Sequence, residues 1–373
     1  MPATWDVPKF LRNLFFVKSS IFCSFSIFSE TSYSQLPDYS FIVDRVTPCV
    51  VSISAVADED ESHPYHAPLP PLPQLEQTLN VLEDDLVLEP LDHMYSGSGI
   101  TFRQDGFIVT NNHIVQGTSQ IFVRLSNGLL FPAQLFAADP ASDLAVLKID
   151  STNLNVCRFI ENDDGIRAGQ YILGFGAPFS LPGTVTEGII SYVNRPLPVM
   201  GVYAKYILFI QTDLEINPGN SGGPIVNRDG DIIGLNSHLL SDPEARGGIS
   251  FAIPIKLVLR VANELINQGY ASRGTIGIEV ADIPPDIATV RRLGLESPYG
   301  AIITAIEPDS PAEGAGVLLG DVIVAVNHTV VRNQYELNYE IGLLEEGDII
   351  RLSIVRDGRH FATQAISAHI HLE

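Results

Sequence analysis

Short apolar runs, separated by Gly, Pro and Asn, follow one another from Phe41 to about Asn236. Runs of four to eight residues rich in Val, Ile and Phe predict β-strands. The clearest runs are residues 50–53, 107–110, 121–125, 144–149 and 171–175. Regularly spaced short strands with turn signals between them indicate a mainly β fold, either a barrel or a sandwich.

The pattern changes to helical spacing at Pro254. Apolar residues recur there every three to four positions, and the helix is predicted to run to Gln268 because Gly269 stops it. Residues 274–367 then return to short strands, with one predicted helix near residues 334–344. That stretch has the size of a separate small domain, and the helix before it is the natural linker.

Residues 1–30 resemble a secretory signal, because the basic residues Lys9, Arg12 and Lys18 precede the apolar run 21–28. The run is shorter than the roughly 20 apolar residues that a membrane-spanning helix requires. We therefore expect an exported protein, periplasmic or otherwise associated with the envelope. An uncleaved N-terminal anchor stays open as an alternative.

Acidic residues outnumber basic ones by 44 to 22. This balance argues against nucleic acid as a partner, since a Lys/Arg stripe is expected there. No Lys or Arg falls between Arg45 and Arg103, and the span from Asp58 to Tyr95 combines acidic runs with the proline-rich segment 68–73. A connection of that length is predicted to be a solvated surface loop, with a docking loop for a basic partner as the alternative.

The three cysteines, Cys23, Cys49 and Cys157, are too few and too scattered to predict a disulfide framework or a zinc site. Cys49 adjoins an apolar run and is interpreted as a buried thiol. The sequence implies no metal and no cofactor.

Three segments carry the residue types of nucleophilic catalysis. His113 follows a predicted strand, Asp143 heads another, and Ser221 lies in Gly219-Asn220-Ser221-Gly222-Gly223-Pro224. A serine hydroxyl needs a base to take its proton, and a histidine serves when a carboxylate holds its tautomer. We therefore predict Ser221 as nucleophile, His113 as base and Asp143 as the residue that orients the base.

The glycines around Ser221 predict an oxyanion hole built from the backbone of Gly219, Asn220 and Ser221, because glycine lets backbone amides turn inward. The amides of Gly219 and Ser221 are the obvious pair of donors. The chain order His, Asp, Ser is the chymotrypsin-like one, and differs from the orders in subtilisin and in α/β-hydrolases.

Segments 110–113, 143–149, 219–224 and 249–254 resemble signatures of the HtrA family of serine proteases. The resemblance extends from Asp44 to Ile370. It implies a chymotrypsin-like double β-barrel, with the active site between two six-stranded barrels, followed by one PDZ domain. The expected division is a signal-like or anchor segment at 1–30, a trypsin-like protease domain at 31–255, a linker helix at 256–273 and the PDZ domain at 274–370.

Thr275, Ile276, Gly277 and Ile278 resemble the carboxylate-binding loop of a PDZ domain. Such a loop captures the C-terminus of a peptide, which then adds a strand to an exposed sheet edge. The C-terminal domain is therefore expected to bind C-terminal peptides, and the alternative is a domain used only for packing or oligomer control.

The family resemblance implies an envelope quality-control endopeptidase that cleaves unfolded or mis-assembled proteins through an acyl-enzyme. It also implies a homotrimer, with Tyr39 and Phe41 as candidate contacts, and activation by ordering of the loops around Gly219 and over residues 237–247. The alternatives are a regulatory protease with a single membrane-protein substrate and a catalytically silent chaperone or peptide-binding scaffold.

Two residues are candidates for the specificity pocket. Glu215 precedes the nucleophile by six positions, where a carboxylate would favour Lys or Arg before the scissile bond. Ile249 would instead line an apolar pocket, and the family then implies cleavage after small aliphatic residues such as Val or Ala.

Overall fold

The computed structural model describes residues 38–57, 94–160, 165–177, 183–197, 206–217, 219–240 and 249–371. The signal-like segment 1–30 and most of the acidic, proline-rich span fall outside these ranges. Contacts divide the chain into a unit over 1–41 and a unit over 42–373. In the first unit, Ser40 begins helix α1 (Ser40–Val46), and its N–H donates to the Asp38 carboxylate.

Six antiparallel strands close the first barrel in the order β1-β2-β3-β6-β5-β4. Their bounds are β1 Val50–Ala57, β2 Met94–Thr101, β3 Phe107–Asn111, β4 Thr118–Arg124, β5 Leu130–Asp139 and β6 Leu144–Ile149. Alternate residues of β1, namely Val51, Ile53 and Ala55, enter the barrel core. A one-turn helix, α2 (Asn112–Val115), follows β3 directly.

Six further antiparallel strands close the second barrel in the order β10-β11-β12-β9-β8-β7. Their bounds are β7 Tyr171–Gly176, β8 Thr184–Arg195, β9 Phe209–Thr212, β10 Pro224–Val226, β11 Ile232–Leu240 and β12 Ile249–Pro254. The core contains Ile172, Ile190 and Ile225, each 1% exposed or less. The two closed barrels confirm the predicted mainly β, chymotrypsin-like fold.

Helix α3 (Ile255–Gln268) follows the second barrel almost where the sequence predicts it. Pro254 precedes its first turn, and Gly269 ends it with φ 85°, a left-handed conformation that costs glycine little. One face buries Leu257, Val258 and Leu265. The chain then enters β13 (Ser272–Thr275), which pairs with β20 (Ala368–His371) near the C-terminus.

The C-terminal domain is built on a sheet with the order β14-β15-β16-β18-β19, to which β17 adds beside β16. Its helix α6 (Gln334–Gly342) confirms the helix predicted near 334–344 and buries Leu337 and Ile341 in the domain core. The remaining bounds are β14 Ile278–Asp282, α4 Ile287–Arg292, β15 Ala301–Ile306, α5 Pro311–Gly314, β16 Val322–Val326, β17 Thr329–Val330, β18 Ile349–Arg356 and β19 Arg359–Ile366.

Cys49 and Cys157 form a disulfide, and their Cα atoms are 5.6 Å apart. The interpretation of Cys49 as a buried thiol is therefore wrong in its chemistry, although the residue is buried at 1% exposure. The two residues are 108 positions apart, and closure of the fold around the first barrel brings them together. No helix among the described residues is long and apolar enough to cross a membrane.

Candidate active site

His113 lies in the first turn after β3, whose five residues are all buried. Two contacts fix this corner to the start of β6. The Asn112 N–H donates to the Asp143 carbonyl oxygen at 3.0 Å, and the Asn111 side-chain amide donates to the same oxygen at 3.1 Å. The end of one strand is thus tied to the beginning of its neighbour, so His113 and Asp143 are held face to face.

Asp143 lies between a short 3-10 helix (Pro140–Ser142) and β6, and it adopts a left-handed conformation with φ 54°. Its carboxylate accepts the His113 backbone N–H at 3.0 Å and contacts Nδ1 of the His113 ring at 2.8 Å. A carboxylate only accepts hydrogen bonds, so the proton of the neutral ring is on Nδ1. The opposite nitrogen, Nε2, then carries the lone pair that can act as a base.

Ser237 also holds the Asp143 carboxylate. Its hydroxyl, in a residue 2% exposed, donates to Asp143 Oδ2 at 2.9 Å, and its carbonyl oxygen accepts the Ser221 hydroxyl at 3.1 Å. Sequence reasoning placed Ser237 only at the start of a loop and missed this contact. No local motif marks it, because Ser237 is 94 residues from Asp143.

The loop around Ser221 is a series of tight turns in the second barrel. The Asn220 N–H donates to the Asn217 carbonyl at 2.9 Å, and the Gly223 N–H donates to the Asn220 carbonyl at 3.0 Å. Gly222 has φ 83°, and a Cβ there would lie 2.0 Å from the Ser98 carbonyl oxygen. Only glycine fits at that position, so backbone packing restricts the sequence around Ser221.

The three predicted triad residues therefore come from both barrels. His113 and Asp143 belong to the first barrel, and Ser221 lies on the second, where Ser237 contacts both Asp143 and Ser221. The arrangement supplies a hydroxyl, an oriented imidazole and a buried carboxylate, which are the groups that acyl transfer requires. Among the described residues, no His, Cys, Asp or Glu side chains cluster as a metal site would need.

The two specificity candidates, Glu215 and Ile249, are the chain neighbours of Leu214 and Ser250, which are joined by a hydrogen bond. The Ser250 hydroxyl, which is fully buried, donates to the Leu214 carbonyl oxygen at 2.7 Å. The residues next to this pair are exposed: Glu215 follows Leu214, and Ile249 precedes Ser250 with 47% exposure. The structure thus brings the two candidates to one region on the second barrel.

The predicted carboxylate loop connects β13 to β14. Gly277 has φ 72°, and its N–H donates to the Thr275 hydroxyl at 3.2 Å. The loop carbonyls are also held, because Ile276 accepts the Ala312 N–H at 3.0 Å and Gly277 accepts the Glu307 N–H at 2.9 Å. The following strand, β14, is at the edge of its sheet, where a peptide strand can be added.

Comparisons with known proteins match this geometry. The trypsin-like peptidase domain family matches residues 97–235, and the PDZ domain family matches residues 274–364. The probable periplasmic serine endoprotease DegP-like of Pseudomonas fluorescens is 36% identical over 335 residues, covering 87% of this chain and 69% of that protein. Its counterpart in Halomonas elongata is 36% identical over 343 residues, covering 89% and 71%.

Solved structures give the same picture. The HtrA-type protease AlgW with a tripeptide is 32% identical, with a TM-score of 0.68 over 90% of this chain and 99% of that chain. The serine endoprotease from Yersinia pestis is 30% identical, with a TM-score of 0.58 over 90% of this chain and 100% of that chain. The C-terminal domain is therefore confirmed as a PDZ domain.

Proposed function

Because this chain belongs to the HtrA family of serine proteases, we propose that Ser221, His113 and Asp143 are its catalytic nucleophile, base and orienting carboxylate. The protein is a serine-type endopeptidase of the periplasm. The observation that carries the assignment is the double contact between the Asp143 carboxylate and His113, through both the backbone N–H and ring Nδ1.

Hydrolysis would proceed through an acyl-enzyme. The Ser221 oxygen attacks the scissile carbonyl while its proton passes to Nε2 of His113, and the carbonyl oxygen becomes an oxyanion. Collapse of this intermediate breaks the C–N bond, and His113 returns the proton to the leaving amine. Water then attacks the acyl-enzyme with His113 as base, which releases the acid product and restores Ser221.

The oxyanion would be held by backbone N–H groups of the loop Gly219-Asn220-Ser221. The Asn220 N–H already donates to the Asn217 carbonyl, which supports Gly219 and Ser221 as the two donors. Gly219 has φ 102°, a conformation that other residues rarely adopt. Loss of one such donor typically lowers turnover about 10²–10³-fold.

The substrates would be unfolded or mis-assembled envelope proteins, and the PDZ domain would bind their C-termini. The edge position of β14 supports peptide addition there. AlgW, whose solved structures contain a tripeptide or a decapeptide, is a similar protein that binds peptides. The scaffold alternative is not favoured, because the Asp143 carboxylate holds His113 as an active triad would require and the relatives are named serine endoproteases.

At the cleavage site, Glu215 would favour Lys or Arg and Ile249 would favour small aliphatic residues such as Val or Ala. Mass spectrometry of casein fragments distinguishes these two specificities, because Glu215→Ala removes a basic preference and leaves an aliphatic one unchanged.

The assembly would be a homotrimer, with Tyr39 and Phe41 as candidate contacts, and Phe41 is 60% exposed in the single chain. Light scattering coupled to size-exclusion chromatography measures the assembly.

The decisive experiment compares casein cleavage by the wild type with that by Ser221→Ala and His113→Ala. Matched controls are Ser126→Ala and His328→Ala, because both residues are exposed and lie outside the site. We expect cleavage by the wild type and the controls only, and faster cleavage when peptides with hydrophobic C-termini are added. Equal cleavage by Ser221→Ala would refute the assignment. If no variant cuts casein while all suppress aggregation of a test protein, the scaffold alternative replaces it.

A further inference from the structure

The Ser98 side chain connects the two barrels beside the nucleophile. It lies on β2 of the first barrel and is fully buried. Its hydroxyl donates to the Gly219 carbonyl oxygen at 2.6 Å and accepts the Ala177 N–H at 2.8 Å, and both partners belong to the second barrel. A single hydroxyl thus satisfies two buried backbone groups of the opposite barrel.

The backbone of Ser98 strengthens the same junction. Its N–H donates to the Ser221 carbonyl oxygen at 2.8 Å, and its carbonyl oxygen accepts the Thr110 hydroxyl at 2.7 Å. Thr110 is fully buried on β3, three residues before His113. Ser98 is therefore bonded to the nucleophile's loop on one side and to the strand that leads to the base on the other.

These contacts fix the orientation of one peptide plane. The plane between Gly219 and Asn220 carries the Gly219 carbonyl, held by Ser98, and the Asn220 N–H, held by the Asn217 carbonyl at 2.9 Å. Gly219 has no side chain that restricts rotation about its backbone bonds. Its φ is 102°, and glycine adopts positive and negative φ values about equally well. The hydrogen bond from the Ser98 hydroxyl to the Gly219 carbonyl restricts this rotation, as a side chain at Gly219 otherwise would.

We propose that Ser98 is a positioning residue, which holds the loop Gly219-Asn220-Ser221 from the opposite barrel so that its amides point at the developing oxyanion. This inference rests on the proposed function. An oxyanion hole works because its donors are already in place when charge develops. A displacement of about 1 Å in such a group can cost on the order of 10²-fold in rate.

The variant Ser98→Ala tests the proposal in the full chain with a fluorogenic peptide substrate. We expect kcat to fall about 10–100-fold, because the loop loses its restraint while the donors themselves remain. We expect KM to stay within about threefold. The matched control is Ser54→Ala. Ser54 is a buried serine on β1 of the same barrel, two residues after Ser52, which pairs with Ser98.

Inhibition by a tripeptide boronic acid with a Val side chain next to boron gives a second measurement. The inhibition constant of the folded enzyme does not depend on how stable the variant is. The Ser221 oxygen adds to boron while its proton passes to His113, and a boron-bound oxygen then occupies the oxyanion hole. The inhibition constant of the boronic acid should rise in Ser98→Ala by about the same factor by which kcat falls. Binding of an uncleaved peptide, measured by fluorescence polarisation in the Ser221→Ala background, should not change when Ser98→Ala is added.

The proposal is overturned if folded Ser98→Ala keeps its kcat and its affinity for the boronate, or if kcat falls only in proportion to the folded fraction seen by circular dichroism. If Ser98→Ala does not fold, Ser98→Cys fills the space with a weaker hydrogen-bonding group and is measured with the same expectations. Cleavage that survives Ser221→Ala would refute the proposed function itself, whereas an unaffected Ser98→Ala in a Ser221-dependent enzyme refutes this inference alone.

Discussion

Arg273 and Asp139 form an ion pair in which the two side chains are 4% and 6% exposed. Arg273 lies on β13, at the entry to the PDZ domain, and Asp139 ends β5, just before the turn that carries Asp143, the proposed orienting carboxylate. The Ser142 hydroxyl donates to the same carboxylate oxygen. The pair therefore joins the strand that leads into the PDZ domain to the short helix that precedes Asp143.

Removal of one partner should be costly. Arg273→Met leaves the Asp139 charge buried without its counterion, and breaking such a pair typically costs about 3–5 kcal/mol of unfolding free energy. Adding Asp139→Asn removes the stranded charge and keeps a carbonyl oxygen for the Ser142 hydroxyl. We expect the double variant to be about 2 kcal/mol more stable than Arg273→Met alone, so that its loss is smaller than the sum of the losses in the two single variants.

Urea unfolding followed by far-ultraviolet circular dichroism measures these differences. All proteins carry Ser221→Ala to prevent self-digestion, and all are compared at one protein concentration because assembly adds to apparent stability. Separate transitions of the two domains are fitted separately. The matched control is Arg103→Met, which breaks an exposed pair with Asp105 whose side chains are 47% and 48% exposed.

The control should lose no more than about 1 kcal/mol, since exposed ion pairs contribute little. A loss below about 1 kcal/mol in Arg273→Met would refute the reasoning, because the buried charge would then cost no more than an exposed one. A double variant as unstable as the sum of its two single variants would also refute it, since the two residues would then be energetically independent.

Three further predictions concern other parts of the molecule. Cys157→Ala should lower the unfolding free energy by about 3–5 kcal/mol in urea, because the disulfide to Cys49 closes a loop of 108 residues. Ser237→Ala should lower kcat about 10–100-fold with little change in KM, because the Asp143 carboxylate loses a buried donor worth about 1.5–3 kcal/mol. In the PDZ domain, a hydrogen bond from the Thr289 N–H lowers the pKa of the Asp286 carboxyl at the start of α4. The charged form is favoured in the folded state, so this stabilisation is present above the ordinary carboxyl range and is lost as pH falls below about 4. The protection factors of the α4 amides against hydrogen exchange should therefore fall at pH 3 in the wild type relative to Asp286→Asn, whose cap does not titrate.

Each of these predictions has a contradicting outcome. Alkylation of both Cys49 and Cys157 in the unreduced, denatured protein would show that no disulfide joins them. A kcat within threefold of the wild type in Ser237→Ala would mean that the remaining contacts orient Asp143 sufficiently. An equal fall of the protection factors in the wild type and Asp286→Asn would show that another group controls the acid sensitivity of α4.

Most of the fold could be read from local pattern. The runs that predict strands at 50–53, 107–110 and 144–149 lie within β1, β3 and β6, and the limits of α3 follow from Pro254 and Gly269. The ends of the elements are predicted less exactly than their positions, since the run 121–125 extends one residue beyond the end of β4. Hydrophobic period and turn residues act within a few positions, so each element carries its own signal.

Local sequence was sufficient to predict the strands, the helices and the three candidate triad residues, because strands, caps and the glycines around Ser221 are encoded within a few residues. The contacts that support these elements and residues depend on long-range packing. Ser98 is 121 residues from Gly219, Ser237 is 94 from Asp143 and Arg273 is 134 from Asp139. Such pairs meet because two barrels close and pack against each other, and no periodicity along the chain records which buried polar groups then face one another.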